Sequence, residues 1–150
     1  MRTIIQRVTE ASVKIEGKTA GEIKKGFLVL LGITHEDTKE DIDYLVRKIT
    51  GLRIFSDQNG LMNESIVDQN GEVLVISQFT LFASTKKGNR PSFIASAKAD
   101  TAEPLYELFV QKLSKTLNKP VATGVFGSDM QVNLINDGPV TIALDSRNRE

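Results

Sequence analysis

The sequence contains no cysteine, and His35 is its single histidine. Without cysteine there can be no disulfide, thiolate metal site or thiol nucleophile. A zinc site built on two histidines is excluded, and a Ser-His-Asp triad would have to use His35. His35 lies in a polar segment before a predicted helix start, where a solvated loop residue is expected. Histidine catalysis is therefore not favoured, and we expect neither a metal nor a cofactor.

The chain also lacks an excess of charge and a long apolar run. Its 19 Lys and Arg balance 19 Asp and Glu, so RNA binding would need a local basic patch. The longest apolar run, residues 27–33, is far too short to cross a bilayer. The first residues show no signal-peptide pattern, and neither a Walker A sequence nor a strand-coupled GxGxxG is present. These absences predict a cytoplasmic protein without membrane contact.

The pattern of the 150 residues predicts a single domain, 1–150, of the α/β class. Helical spacing predicts one helix from Thr38 to Gly51 and a second that starts at 100–103 and is ended by Pro120. Strand patterns occur at residues 3–8, 12–16, 19–23, 27–33, 73–76, 121–126, 130–136 and 140–144. The predicted architecture is a curved mixed β-sheet, partly barrel-like, with two main helices packed against it. Residues 27–33 are expected to form a central strand.

Two segments are unusual for a purely structural role. The apolar strand at 73–76 leads into Ser77, Gln78, Phe79 and Thr80, where a buried strand would end in three hydrogen-bonding side chains. Buried polar groups need partners, which could be neighbouring loops or a ligand. The other segment is Asn136-Asp137-Gly138-Pro139, which is most simply interpreted as a turn between two strands. A rarer possibility is a cis Gly-Pro bond that fixes the direction of two neighbouring carbonyls.

Residues 77–81, Ser-Gln-Phe-Thr-Leu, and residues 136–141, Asn-Asp-Gly-Pro-Val-Thr, resemble the two signatures of the D-aminoacyl-tRNA deacylase family. The resemblance runs from Arg2 through residues 124–127 and Met130 to Leu144. It implies a hydrolase that removes D-amino acids from mischarged tRNA by cleaving the aminoacyl ester. Such a protein would act in the proofreading of translation.

The resemblance also implies a homodimer in which Gly138-Pro139 is cis and enters the pocket of the neighbouring subunit. The residues that it implies for catalysis are Ser77, Gln78, Phe79 and Thr80. It implies substrate-binding roles for Gly138 and Pro139, for Arg7, which supports the Gly-Pro loop, and for Phe126 and Met130, which hold the terminal adenosine. Surface charge and core packing remain the ordinary readings of Arg7, Phe126 and Met130.

Two rigid carbonyl oxygens facing the α-carbon would accept the ammonium of the amino acid and exclude an L side chain by clash. Glycine, which has no side chain, should then be removed as well. Because the ester is activated, positioning and oxyanion stabilisation by amides near Phe79 and Thr80 could suffice, with help from the terminal 2′-hydroxyl of the tRNA. A covalent mechanism with Thr80 as nucleophile is the alternative, although no base is visible to activate it.

The densest basic loop carries Lys86, Lys87 and Arg90, which we expect to contact tRNA phosphates unless they are simply solvated charges. Other functions remain open. They are a noncatalytic RNA-binding module, an esterase for small molecules, and a sister branch of the family with a trans Gly-Pro bond and altered chirality.

Overall fold

The structure is a computed structural model, and it describes residues 1–149. Its two helices are α1 (Lys39–Gly51) and α2 (Ala99–Leu117). Its strands are β1 (Arg2–Ile15), β2 (Lys18–Ile23), β3 (Gly26–Gly32), β4 (Phe55–Ser56), β5 (Met62–Glu64), β6 (Glu72–Ser77), β7 (Ala122–Thr123) and β8 (Gln131–Asp145). None of the helices in the described range is long and apolar enough to cross a membrane.

Six strands form one mixed sheet in the order β2-β1-β3-β6-β7, and β8 pairs with β1. The long strand β1 bends the sheet, because residues 2–8 pair with β3 while residues 11–15 pair with β2. Strands β3, β6 and β7 run parallel to one another. Contacts between β2 and β7 bring the ends of the sheet together. The sheet is therefore nearly closed as a barrel, which confirms the predicted α/β architecture.

Two hydrophobic cores explain why β3 is apolar throughout. Phe27, Val29 and Leu31 belong to the core between the sheet and the helices, whereas Leu28 belongs to the core inside the barrel. Successive side chains of a strand point to opposite faces, so a strand between two cores needs apolar residues at every position. The predicted central strand at 27–33 is confirmed by this arrangement.

The first helix begins where its capping residues predict. Thr38 is the N-cap, and its amide donates to Asp41 Oδ2 at 2.8 Å in a capping box. The apolar stripe of α1 is buried in the core between the sheet and the helices, together with Phe109 and Leu113 of α2. Both predicted helices are therefore confirmed, and they cover one face of the sheet.

The predicted turn at Gly138-Pro139 is wrong, because residues 130–136 and 140–144 belong to one strand, β8. Both parts pair with β1, since Gln6 lies opposite Thr141 and Val8 lies opposite Asn136. Residues 137–140 are therefore a bulge opposite Arg7, and we call this segment the β8 bulge. A break in the alternating pattern looks the same in a turn and in a bulge, so only the pairing with β1 distinguishes them.

Other predicted boundaries also differ from the structure. The strands predicted at 3–8 and 12–16 are one strand, β1, and only Ala122–Thr123 of the run 121–126 is a strand. The hairpin strands β4 and β5, which pair with each other, were not among the predicted strands. These short or joined elements depend on partners distant in sequence, which local patterns do not reveal.

Candidate active site

A pocket of about 290 Å³ lies at the carboxyl ends of β3 and β6. Leu31 of β3 is paired with Ser77 of β6, so both strands end at this edge. Three residues from the first signature, Ser77, Gln78 and Phe79, line the pocket together with Phe126 and Met130. The structure therefore brings together two regions that are about 50 residues apart in sequence. Parallel strands commonly present their carboxyl ends to ligands in this way.

The chain leaves the sheet directly after Ser77. The amide of Gln78 still donates to the Leu31 carbonyl at 2.7 Å, and Phe79–Phe82 then forms a single 3₁₀ turn. Phe79 is 56% exposed and Thr80 is exposed as well, so the expectation of a buried strand through Thr80 is wrong. The local reason is the turn closed by Leu81, whose amide donates to the Gln78 carbonyl at 3.2 Å.

Thr80 lies beside the pocket and does not line it. Its hydroxyl oxygen accepts a hydrogen bond from Gln78 Nε2. Within residues 1–149, no backbone oxygen accepts from the amides of Phe79 or Thr80. Two amides at the edge of a pocket can stabilise a carbonyl oxygen that gains negative charge. The chemistry suggested by this edge is therefore oxyanion stabilisation by the backbone.

Phe126 and Met130 form an apolar wall of the pocket, and the polar residues Ser128 and Asp129 also line it. The ring of Phe126 packs on Tyr106 with centroids 5.7 Å apart, and the Tyr106 hydroxyl donates to the Val75 carbonyl at 2.9 Å. Burial raises the pKa of Tyr106 to about 12, so this phenol remains a neutral donor. Met130 packs against Gly124, where a side chain would collide with the Met130 sulfur. An apolar, aromatic wall of this kind suits a flat ring system.

Gly138 and Pro139 are exposed on the β8 bulge and do not line this pocket. Their peptide bond is cis, as the resemblance implies. The register from Ser77 through Leu31 and Thr3 reaches β8 at Leu144. The bulge therefore lies three strand spacings from Ser77 across the sheet, roughly 14 Å. Along the strand direction it lies about five residues away, roughly 16 Å. Within one chain, the two signatures do not meet.

Arg7 holds the β8 bulge from the neighbouring strand. The residue is only 8% exposed, and its Nε donates to the Asp137 carbonyl at 3.2 Å and lies 3.1 Å from the Asp137 carboxylate. Its guanidinium also donates to the Ile54 carbonyl. On the other side, the Asn136 side chain accepts from the Val140 amide at 3.1 Å. Arg7 is therefore a buried support of the bulge and not a surface charge. No local sequence pattern indicates that Asp137 is its partner.

The basic residues Lys86, Lys87 and Arg90 are all exposed and do not line the pocket. They lie on a loop closed by Ser84 and Ser92, whose backbones exchange hydrogen bonds of 2.8 and 2.9 Å. Phe93 follows this loop and packs edge-on against Phe79, with ring centroids 5.1 Å apart. The loop is therefore attached to the rim of the pocket.

His35 is exposed and outside the pocket lining, with its Nε2 3.0 Å from the Ile94 carbonyl oxygen. In the described part of the chain, no group of three or more His, Asp or Glu residues is placed to hold a metal ion. The pocket residues that the sequence did not suggest include Ser96, Ala97 and Ala102. They precede or begin α2, and no local motif marks them.

The fold and the pocket define a nearly closed mixed barrel with a ligand site at the ends of two parallel strands. A family model described as D-Tyr-tRNA(Tyr) deacylase matches residues 4–145. A protein named D-aminoacyl-tRNA deacylase from Flavobacterium johnsoniae is 59% identical over 150 residues, which are 100% of each chain. The chain belongs to the D-Tyr-tRNA(Tyr) deacylase family.

Two solved structures have the same fold. One is titled c-Myc DNA Unwinding Element Binding Protein, with a TM-score of 0.92 and 43% identity over 97% of this chain and 98% of that chain. The other is titled Structural Analysis of a probable eukaryotic D-amino acid tRNA deacylase, with a TM-score of 0.81 and 16% identity over 95% and 97% of the chains. The second likeness supports the fold alone.

Proposed function

We propose that the protein is a D-aminoacyl-tRNA deacylase, a hydrolase that cleaves the ester between a D-amino acid and the terminal ribose of tRNA. Full-length identity of 59% to a protein of that name carries the proposal. The pocket supports it, because it combines an apolar wall for a nucleoside with backbone donors for an ester carbonyl. Its place of action would be the cytoplasm, where translation supplies aminoacyl-tRNA.

In the proposed complex, the terminal adenosine lies against Phe126 and Met130, and the ester carbonyl lies near Ser77 and Phe79. Aromatic and thioether side chains can pack against a base whatever nucleotides precede it in the tRNA. Ser77 and Gln78 lie at the same edge as the amides of Phe79 and Thr80. The reacting bond would therefore sit where polar atoms are concentrated.

Hydrolysis requires a water oxygen to bond to the ester carbon while the bond to the ribose oxygen breaks. The amides of Phe79 and Thr80 would hold the carbonyl oxygen as it becomes negative. The terminal 2′-hydroxyl would orient the water, and the proton lost by the water would end on the departing ribose oxygen. Thr80 is poorly suited to covalent catalysis, because its hydroxyl accepts from Gln78 and lies beside the pocket.

We propose that a second copy of the chain completes this site with its β8 bulge. The bulge is exposed and too distant from its own pocket, which supports a shared site. The pocket rim also exposes Phe79, Phe93 and Ile94, at 56%, 37% and 86% respectively. Large apolar side chains around a pocket are typical of a surface that another protein covers.

The inserted bulge would act as the chirality filter. The carbonyl oxygens at Gly138-Pro139 would accept the ammonium of the amino acid and leave space for a D side chain. An L side chain would be driven into the same oxygens and rejected by clash. Since the filter uses backbone atoms, it would accept many different D-residues, and it would also accept glycine.

The exposed cations Lys86, Lys87 and Arg90 would contact the tRNA phosphates. Their loop is attached to the pocket rim through Phe93 and Phe79, so an acceptor stem entering the pocket would pass it. Phosphate contacts of this kind position RNA without reading its sequence. They would also explain RNA binding by a chain with no net charge.

The test is deacylation by the purified protein of one tRNA charged with D-alanine or with L-alanine. We expect rapid loss of the D-ester and a rate for the L-ester close to the uncatalysed one. Equal rates would contradict a D-specific deacylase and would favour an unselective enzyme. Binding without ester loss would identify an RNA-binding module. A free D-alanyl ester cleaved as fast as the tRNA ester would identify a small-molecule esterase.

A further inference from the structure

Arg2 makes contacts that no motif of the sequence explains. It lies at the start of β1, and its Nη1 donates to the Leu81 carbonyl at 3.1 Å. Its Nε donates to Asp145 Oδ2 at 2.9 Å, and its guanidinium lies over the Phe82 ring, 4.7 Å from the centroid. Leu81 and Phe82 belong to the 3₁₀ turn at the pocket edge. A single side chain therefore joins the start of β1 and the end of β8 to that turn.

The register of the sheet accounts for this position. Arg2 is paired with Gly32 on one side and with Asp145 on the other. Directly paired residues project their side chains from the same face of a sheet. Gly32 has no side chain, so the place beside Arg2 is free for the 3₁₀ turn. A Cβ at Gly32 would lie 2.9 Å from Leu81 Cβ and 3.0 Å from the Gln78 carbonyl oxygen, so the turn rests directly on β3.

The carboxylate of Asp145 fixes the direction of the guanidinium. Its Oδ1 also accepts from the amides of Arg147 and Asn148, at 2.9 and 3.2 Å. Burial alone would raise the pKa of Asp145, but the bonds from Arg2 and from these two amides hold it below its ordinary value. Asp145 therefore remains charged at neutral pH, and it keeps Nη1 of Arg2 directed at the Leu81 carbonyl.

The 3₁₀ turn is anchored at both ends. At its start, the Gln78 amide donates to the Leu31 carbonyl. Near its end, the Leu81 carbonyl accepts from Arg2, and no other donor among residues 1–149 bonds to this oxygen. The amides of Phe79 and Thr80 lie between these two anchors. Their direction relative to the pocket therefore depends on both.

We infer that Arg2 is a positioning residue, which holds the 3₁₀ turn so that the amides of Phe79 and Thr80 face the ester carbonyl. The inference rests on the proposed deacylase function. Arg2 does not line the pocket, so it would act on the substrate only through the turn. The carbonyl oxygen becomes negative only towards the transition state. A displaced turn should therefore slow the reaction without weakening substrate binding.

Arg2→Gln removes the guanidinium and should lower kcat on D-alanyl-tRNA. Loss of a whole oxyanion donor costs roughly 100- to 1000-fold in kcat, and a loosened turn should cost less than a lost donor. We expect kcat to fall about tenfold while KM stays unchanged. Tm should change little, because the Arg2 side chain is 48% exposed. Arg53→Gln is the matched control and should stay active, since exposed Arg53 binds two oxygens of Asn63 outside the pocket.

Asp145→Asn tests the direction of the guanidinium while Arg2 is kept, and it carries the test if Arg2→Gln does not fold. Asparagine can still accept from the neighbouring amides, but it binds a guanidinium less firmly, so kcat should fall about threefold. A variant with both substitutions should be no slower than Arg2→Gln, because both act on one contact. Losses that multiply, an unchanged kcat in Arg2→Gln, or a rise in KM alone would each overturn the inference.

Two analogues of the aminoacylated adenosine separate binding of the ground state from binding of the transition state. In a 3′-D-alanylamido adenosine the carbonyl oxygen stays neutral, whereas in the corresponding phosphonate a charged oxygen stands in for the oxyanion. Arg2→Gln should bind the amide as tightly as wild-type protein does and the phosphonate about tenfold less tightly. If both analogues bind more weakly, or neither does, the inference is wrong.

The same measurements separate this inference from the proposed function. If wild-type protein hydrolyses no ester, but Arg2→Gln weakens binding of the phosphonate alone, the proposed function fails and the positioning role stands. If wild-type protein hydrolyses the D-ester and Arg2→Gln is equally fast, only the positioning role fails. If wild-type protein neither hydrolyses the ester nor binds either analogue, both are overturned.

Discussion

The pocket edge at the end of β6 and the β8 bulge are held in very different ways. The pocket edge continues from β6, whose residues Val73 to Ile76 are buried, so the two cores fix its position. The bulge lies on an exposed strand and is held mainly by Arg7 and by the side chain of Asn136. In the proposed mechanism, the ester would therefore be bound by a firmly packed edge and the chirality filter by a few side-chain contacts. Changes at the bulge should therefore impair activity and selectivity while leaving the pocket intact.

Gly138→Ala is expected to have the largest effect. Gly138 has a φ of 123°, and a Cβ there would lie 2.9 Å from Val140 Cγ2 and 3.0 Å from an Arg7 guanidinium nitrogen. A displacement of the bulge by about 1 Å should lower kcat/KM on D-alanyl-tRNA roughly 100-fold. Tm should fall as well, because an L residue is strained at this φ whatever the space around it.

The matched control for this substitution is Gly17→Ala, at another glycine of positive φ where a Cβ meets nothing within 4 Å. It introduces a side chain at a positive φ of 78°, outside the site, and should keep its activity. Full activity in Gly138→Ala would show that the bulge takes no part in the reaction.

Arg7→Ala should have the next largest effect, on both activity and fidelity. It removes the contact with Asp137 and leaves the buried Ile54 carbonyl without its donor, which should cost about 1–3 kcal/mol of stability. The loosened bulge should lower kcat/KM for D-alanyl-tRNA about tenfold and admit L-alanyl-tRNA first among L-substrates. Deacylation and thermal unfolding measure the two effects, with exposed Arg53→Ala as control. If Arg7→Ala still rejects L-alanyl-tRNA as completely as wild-type protein does, Arg7 takes no part in chiral selection.

Glycine tests whether selection works by exclusion. A filter that only blocks an L side chain cannot reject a smaller substrate, so glycyl-tRNA should be hydrolysed within about tenfold of the D-alanyl-tRNA rate. L-alanyl-tRNA should remain intact under the same conditions. If glycine is spared as completely as L-alanine, the site must recognise a D side chain directly, and exclusion by carbonyl oxygens is wrong.

Thr80→Ala should have the smallest effect, within about threefold of wild-type kcat. The proposed chemistry uses the amides at this position, and alanine retains them. Circular dichroism should first establish that the variant is folded, because Thr80 lies in the 3₁₀ turn and bonds to Gln78. Complete loss of activity, together with a trapped acyl-enzyme, would instead establish Thr80 as the nucleophile.

Much of the fold could be predicted from local patterns. The capping residues at Thr38 located α1, and the continuous apolar run located β3 between its two cores. The β8 bulge could not be predicted, because it exists only through pairing with β1 on both sides of Gly138-Pro139. Local alternation cannot distinguish a bulge from a turn, since the partner strand is more than 100 residues away in the sequence.

The site was predicted in part, through motifs and not through geometry. Ser77, Gln78 and Phe79 of the first signature line one pocket together with Phe126 and Met130. No sequence pattern marks Ser96 as a pocket residue, because its position depends on the bridge to Thr34, which is more than 60 residues away in the sequence. The contact of Arg7 with Asp137 is likewise long-range. Residues brought together by tertiary pairing carry no local signal.

Mixing two inactive variants tests the shared site most directly. Ser77→Phe should fill the pocket, and Gly138→Ala should displace the bulge, so each variant alone should be nearly inactive. In an equal mixture reassembled from unfolded chains, half of the dimers contain both variants, and each of these has one intact site out of two. Activity should therefore recover to about a quarter of the wild-type level. Activity that stays at the sum of the separate variants would contradict a site shared between two copies of the chain.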